Sequence, residues 1–143
     1  MGFLIYHNFQ FARYPRALQD LTFGAHGYTM AAGQVIPSGE AESVDGGFIL
    51  NGRWGYATGT FHSDYMVLAA PVVGKKTDDD KPVMYRFAVA TREFEILDTW
   101  HVAAMRATGS HYVTLTDVFV RDYHGIPVEA LRERTSPGLD IHP

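Results

Sequence analysis

The sequence predicts a mainly β fold: a small antiparallel β-barrel or orthogonal β-sandwich of about six strands with short flanking helices. Three observations predict it. From Tyr28 onward the chain is made of brief runs rich in Val, Ile, Phe, Tyr and Thr, cut by Gly, Pro and Asp turns. No long helix separates those runs, which rules out a parallel sheet built from βαβ units. And 143 residues, 46% of them hydrophobic, suffice for one core.

Taken in order, residues 15–21 form the best early helix candidate. Proline suits a first turn, Ala17, Leu18 and Leu21 fall on one side, and Gly24 ends the helix. Strands are expected over residues 28–36, 47–56, 65–70, 84–90, 94–97 and 111–120. Asp45-Gly46-Gly47 is a turn into the second of these. Residues 74–82, which carry Lys75, Lys76, Asp78, Asp79, Asp80 and Lys81, read as a solvated hairpin loop. In Trp54-Gly55-Tyr56-Ala57-Thr58-Gly59 the pleat puts Trp54, Tyr56 and Thr58 on one face if the strand persists, with small residues on the other. Small residues let another group approach the backbone, although large–small alternation also packs a barrel. Trp100 is expected in the core. Residues 127–134 read as a short helix starting at a proline, after which Ser136-Pro137-Gly138 breaks the chain and residues 139–143 have no partner within this sequence.

Composition excludes several function classes. Twelve Lys and Arg against sixteen Asp and Glu give a net charge of −4, the opposite of a nucleic-acid-binding surface. The longest nearly unbroken apolar run, residues 65–73, is far short of the roughly 18 residues of a membrane-spanning helix. No secretory start is visible, so neither a membrane nor a nucleic-acid partner is expected, and a cytoplasmic location is the default. With no cysteine, disulfides, thiolate metal sites and thiol catalysis are out.

Two stretches are more specific than any periodicity: VDGGFILNGRWGYATGTFHSDYMVLAA over residues 44–70 and LDTWHVAAMRATGSHYVTLTDVFV over residues 97–120. Together they resemble the middle β-domain of the acyl-CoA dehydrogenase superfamily. The Gly-Arg-Trp run, followed by Tyr56, a small residue and Thr58 before Gly59, and preceded by Ile36-Pro37-Ser38-Gly39, is most similar to the flavin-dependent monooxygenase branch of two-component aromatic hydroxylases and desulfurisation-type enzymes. Val35-Ile36-Pro37 stands where the acyl-CoA-oxidising branch carries Thr-Glu-Pro. There are departures: Ala104 and Ala107 replace usual glycines, and Arg121 replaces the proline that usually closes the strand.

The resemblance implies a division of the chain into a remnant of a preceding helical domain (residues 1–27), the β-barrel domain (28–126), and a short helix and linker towards a second helical domain (127–143). It also implies a bound flavin, FAD or FMN, whose redox chemistry belongs to the cofactor. The cofactor-binding residues it implies are Val35, Ile36, Pro37, Ser38 and Gly39 on the pyrimidine side, Trp54 as the wall, and Tyr56, Ala57, Thr58 and Gly59 at the N5 edge. Arg106 is implied at the flavin phosphates or a neighbouring domain, or as part of a loop braced by Thr108 and Ser110. Thr58 either hydrogen-bonds N5, where oxygen chemistry needs water excluded, or caps a turn. The acid and base groups of such enzymes come from helical domains, so no catalytic residue is assigned and the chain alone is expected not to turn over substrate. Expected partners are flavin, a flavin reductase, helical domains in another chain, and a second copy in a homo-oligomer.

Rival readings remain open. A non-catalytic β-domain acting as scaffold or subunit fits the lack of helices, and acyl-CoA dehydrogenation is the alternative within the same resemblance. His62-Ser63-Asp64, with His101, His111 or His124 as a third ligand, resembles the His-x-Asp pair of iron(II)/2-oxoglutarate oxygenases. Asp78 to Asp80 could bind calcium, but a solvated hairpin tip is the better reading.

Overall fold

The computed structural model describes residues 2–24, 26–133 and 137–140. Three helices, α1 (Gly2–Phe11), α2 (Arg16–Phe23) and α3 (Val128–Arg132), flank eight strands: β1 (Ala31–Gln34), β2 (Glu40–Val44), β3 (Gly47–Ala57), β4 (Tyr65–Lys76), β5 (Pro82–Ala90), β6 (Glu95–Leu97), β7 (His111–Arg121) and β8 (Gly125–Pro127). The pairing order is β6-β7-β3-β2-β4-β5-β8, with β1 on β4. The mainly β architecture is as expected.

Sheet pairing divides the strands into two layers, β6-β7-β3-β2 and β1-β4-β5-β8, joined where Ala41 of β2 meets Val72 of β4. Between the layers lies the main core. Leu50, Trp54, Val113 and Leu115 face Met66, Leu68, Phe87 and Val89 there, all fully or almost fully buried. A second cluster sits on the outer face of the β4–β5 layer, where Phe11, Tyr14 and Leu18 of the helical segment pack on Val67, Ala88 and Ile126. β4 is therefore covered on both faces, which explains why residues 65–73 lack the alternation of a half-exposed strand.

The differences from expectation have local causes. Strand β1 covers only 31–34 of the expected 28–36: before it, Asn8 donates to the Thr29 carbonyl at 3.2 Å and accepts the Thr29 N–H at 3.0 Å, and after it the Ile36 N–H turns to the Gln34 side chain. Both β1 and β2 run parallel to β4, so the sheet is mixed rather than purely antiparallel. β2 carries only one buried residue, Ala41, and leaves no apolar alternation to read. The Asp45-Gly46 turn joins Val44 to Gly47 as expected, with Gly46 at φ +74°. The hairpin loop shrinks to residues 77–81 because β4 and β5 extend to the Lys76–Pro82 pair. Helix α2 follows Pro15 and ends at Gly24 as read. The expected helix over residues 127–134 is α3, but residues 134–136 and 141–143 of the expected tail lie outside the described residues. No helix among the described residues is long and apolar enough to cross a membrane.

Candidate functional site at the sheet rim

β3 is the element that builds the rim. Its ladder with β7 slips between Trp54 and Ala57, and Tyr56 takes φ +59° within that bulge. The bulge breaks the alternation that would have put Trp54, Tyr56 and Thr58 on one face. Trp54 turns inward instead, fully buried, with Nε1 donating to the Ala69 carbonyl at 2.9 Å. It therefore offers no ring face to a ligand, and the wall expected of it is not there. Ala57 is buried too, and its carbonyl accepts the Thr60 hydroxyl. Gly55 does admit a close neighbour, the molecule's own Tyr112 ring, which would lie 2.4 Å from a Cβ at this position.

Tyr56 points out, 62% exposed, and meets Trp100 edge-on at 6.2 Å and Tyr112 at 5.6 Å. Arg53 caps this aromatic row 4.6 Å above Tyr112. The side-chain hydrogen bond with Tyr56, and then the charge of that neighbour, push the Tyr112 phenol above its ordinary pKa. Trp100 is half-buried on the loop rather than in the core, held by an Nε1–H donated to the Met105 carbonyl at 3.1 Å.

The two distant sequence motifs meet beside this row. Gly59, at φ +79°, donates its N–H to the Thr108 carbonyl at 2.9 Å. The Thr58 and Ser110 hydroxyls share a hydrogen bond of 2.9 Å, and Ser110 and Thr108 share another of 3.1 Å. Three hydroxyls thus form a chain at the strand ends. A cavity of about 200 Å³ opens next to it, lined by Gly59, Phe61, His62, Arg106, Thr108 and His111. Arg106 is exposed and makes no ion pair among the described residues.

The segment 35–39 runs along the same edge. Gln34 donates its side-chain amide to the Gly55 carbonyl and accepts the Ile36 N–H at 3.0 Å. Val35, Ile36 and Pro37 are exposed and Ser38 is half-buried. Gly39, at φ +94°, crosses Gly52 so closely that a Cβ would lie 2.4 Å from the Asn51 carbonyl and 2.8 Å from the Trp54 ring. Its glycine serves this crossing.

His111 was not among the expected cofactor residues, yet it braces the whole loop. Buried at 7% exposure, it accepts the Thr99 and Trp100 N–H groups on Nδ1 at 3.2 and 3.4 Å, with the Asp98 carboxylate 3.6 Å from the same nitrogen. Its ring contacts Phe61 at 4.7 Å. The sequence offered no signal for this, because the partners are main-chain donors twelve and eleven residues away.

The metal reading finds no support here. Among the described residues no three His, Asp or Glu side chains converge. Asp64 instead brackets β1, accepting the Met30 N–H on its carboxylate at 3.1 Å. In the Asp78 to Asp80 run, Asp80 and Asp79 pair with Lys76 and Lys81 at 2.6 and 3.6 Å.

No family model matches the chain. Relatives do. It is 31% identical over 135 residues to the oxygenase subunit HsaA, a flavin-dependent monooxygenase of Rhodococcus jostii, covering 94% of this chain and 34% of the relative. It is 30% identical to the oxygenase component of p-hydroxyphenylacetate 3-hydroxylase from Acinetobacter baumannii, covering 96% and 32%. Among solved structures, HsaA from M. tuberculosis superposes with a TM-score of 0.87 at 28% identity, over 97% of this chain and 35% of that one. XiaF from Streptomyces, in complex with FADH2 and glycerol, superposes with a TM-score of 0.82 at 35% identity, over 94% and 33%. The chain is homologous to one third of a flavin-dependent monooxygenase oxygenase component. It spans about a third of the length of the relatives it matches.

Proposed function

We propose that this chain is the flavin-cradling β portion of an aromatic monooxygenase of the acyl-CoA dehydrogenase-like type, and that the flavin is FAD in its reduced form. The observation that carries the reading is the rim itself. There the Thr58–Ser110–Thr108 hydroxyl chain lies beside the exposed Tyr56 ring, which abuts Trp100.

The residues present fit an isoalloxazine. A flavin ring needs a flat apolar surface on one side and hydrogen-bond partners along its N5 and pyrimidine edge. Val35, Ile36, Tyr56 and Met105 are large apolar side chains left more than half exposed. Thr58 supplies the hydroxyl for the N5 edge, and Ser110 orients it by holding the other end of their shared hydrogen bond. The main chain of 35–39, pinned to Gly55 through Gln34, supplies the pyrimidine side. Arg106, unpaired at the cavity mouth, suits a phosphate through its donor fork. Reduced flavin would supply the electrons with which one oxygen atom of O2 enters an aromatic ring. The chain's own part is to bind, to orient and to keep water from the ring edge through the Tyr56–Trp100 surface.

The division into residues 1–27, 28–126 and 127–143 is part of the same proposal, with helical domains supplying the acid and base groups. So are a flavin reductase as the source of reduced flavin, a homo-oligomer and a cytoplasmic setting. XiaF is recorded with FADH2 and a Rhizobium resorcinol hydroxylase relative is FADH2-dependent, which favours FAD over FMN.

The test is anaerobic equilibrium binding of reduced FAD and reduced FMN to the full chain, to Thr58→Val and to Ser110→Ala. The reading expects saturable binding, FAD over FMN, weakened about tenfold by Thr58→Val and less by Ser110→Ala. Binding that ignores both hydroxyls contradicts it.

A further inference from the structure

The loop that carries Trp100 is fastened to the rim through one titratable atom. Nδ1 of the buried His111 accepts the Thr99 and Trp100 N–H groups at 3.2 and 3.4 Å. The aromatic side of the rim hangs on that fastening. Trp100 meets Tyr56 edge-on at 6.2 Å, and its Nε1–H donates to the Met105 carbonyl at 3.1 Å. The same carbonyl accepts the Thr108 hydroxyl at 2.8 Å, and Thr108 ends the hydroxyl chain that runs through Ser110 to Thr58. One imidazole nitrogen is thus linked to both the ring surface and the hydroxyls.

An imidazole nitrogen accepts a hydrogen bond only while it carries no proton, and in the cation both ring nitrogens are donors. A protonated Nδ1 would aim its own N–H at two main-chain N–H groups. Another partner for that proton is already in place, because Oδ1 of the exposed Asp98 lies 3.6 Å from Nδ1. The same Asp98 oxygen is 3.6 Å from His101 Nε2. On its other sides His111 meets the Phe61 ring at 4.7 Å and lines the 200 Å³ cavity with His62 and Arg106. Across the ladder stands Ala57 of β3, which carries no charge. The charged and titratable groups around the imidazole are therefore Asp98, His101, His62 and Arg106. Thr99 keeps a second tie, its hydroxyl accepting the Tyr112 N–H at 2.9 Å, so loss of the imidazole bonds frees the Trp100 side and leaves the strand paired.

We propose that His111 is a proton-operated clamp on the rim: neutral, it holds Trp100 against Tyr56, and protonated, it turns to Asp98 and lets that segment go. The clamp stands on the loop geometry alone, while its effect on flavin rests on the reading of the rim as a cradle. Histidine is the side chain that changes charge between roughly pH 5 and 8, which sets the range to search.

The experiment follows the full chain across that range by nuclear magnetic resonance without flavin, alongside His111→Asn and Asp98→Asn. Asn places an oxygen where Nδ1 stood and does not titrate. In the native chain the Thr99 and Trp100 amides should move with the His111 ring protons on one midpoint, and the Overhauser contacts between Trp100 and Tyr56 should fade below it. His111→Asn should abolish both changes. Asp98→Asn, at an exposed position where folding is not at stake, should displace the transition to lower pH. Circular dichroism verifies that each variant is folded. Anaerobic titration with reduced FAD is then repeated across the range. One pH unit below the midpoint about a tenth of the clamps stay closed, so affinity should fall about tenfold relative to His111→Asn, in which any titration of the flavin itself is shared. Amides that ignore the His111 midpoint, ring contacts that persist below it, an unmoved transition in Asp98→Asn, or one common pH profile of flavin affinity in the native chain and His111→Asn each overturn the proposal. A clamp that opens as described in a chain that binds flavin at no pH supports the clamp and removes only the reading of the rim.

Discussion

Trp54 is the residue on which sequence and structure disagree most sharply, and replacing it with Phe separates a packing role from a ligand-wall role. The indole is fully buried and donates to the Ala69 carbonyl at 2.9 Å. Removing that donor leaves a buried acceptor unsatisfied, at about 1–3 kcal/mol. Phe is smaller by roughly 40 Å³, and at about 24 cal/mol per Å³ the void adds about 1 kcal/mol. Trp54→Phe should therefore lose about 2–4 kcal/mol of unfolding free energy in urea titrations followed by far-ultraviolet circular dichroism. Flavin affinity of the folded protein should stay within about twofold, because no face of the indole reaches the rim. The two tryptophans give an internal control: emission should shift to the red in Trp54→Phe, which leaves only half-buried Trp100, and to the blue in Trp100→Phe. A loss below about 1 kcal/mol, or a tenfold fall in flavin affinity without destabilisation, would refute the reasoning.

Three further outcomes are expected. Gly39→Ala meets the Asn51 carbonyl at 2.4 Å with φ at +94°, so it should cost on the order of 3 kcal/mol in the same urea assay. Thr58→Val should cost only about 1 kcal/mol, since its hydrogen bond with Ser110 is partly exposed; a larger loss would make that hydroxyl structural. Stability should also depend on pH through His124, whose pKa is lowered chiefly by burial while its Nδ1–H donates to the Ala88 carbonyl at 2.7 Å. In the window between the lowered folded value and the ordinary 6.5, the unfolded chain binds more protons. Stability is thus complete above about pH 6.5 and declines as pH falls through that window. His7, also lowered, adds in the same direction. His124→Gln should flatten, without abolishing, the slope of unfolding free energy between pH 7.5 and 5, and an unchanged slope would assign the effect elsewhere.

The legible parts of the fold were those whose pattern is local. The Pro15 start and Gly24 end of α2, the Asp45-Gly46 turn and the long β7 all follow from turn chemistry or spacing. The side of α2 expected to pack is only partly right: Leu18 is buried with Gln19 and Thr22, and Ala17 and Leu21 are exposed. β2 was not legible because four of its five residues face solvent, and α1 because the apolar residues in the sequence GFLIYHNFQF do not recur at the spacing of a single helical stripe. At the site, the two motifs around Trp54 and Arg106 pointed to one place, and the Gly59–Thr108 hydrogen bond joins them. What alternation could not convey was the bulge before Ala57, which sends Trp54 inward and leaves Tyr56 outside. Nor could it reveal His111, whose role consists of accepting two main-chain N–H groups from a loop with no pattern of its own.

Amide chemical-shift mapping of the 143-residue chain during anaerobic addition of reduced FAD addresses the rim most directly. Perturbations should concentrate in residues 35–39, 55–59 and 105–111 and in the Trp100 indole, and leave the Trp54 indole unmoved. Shifts centred on the helix-covered face, or none at saturating flavin, would contradict the assignment of this edge as a flavin cradle.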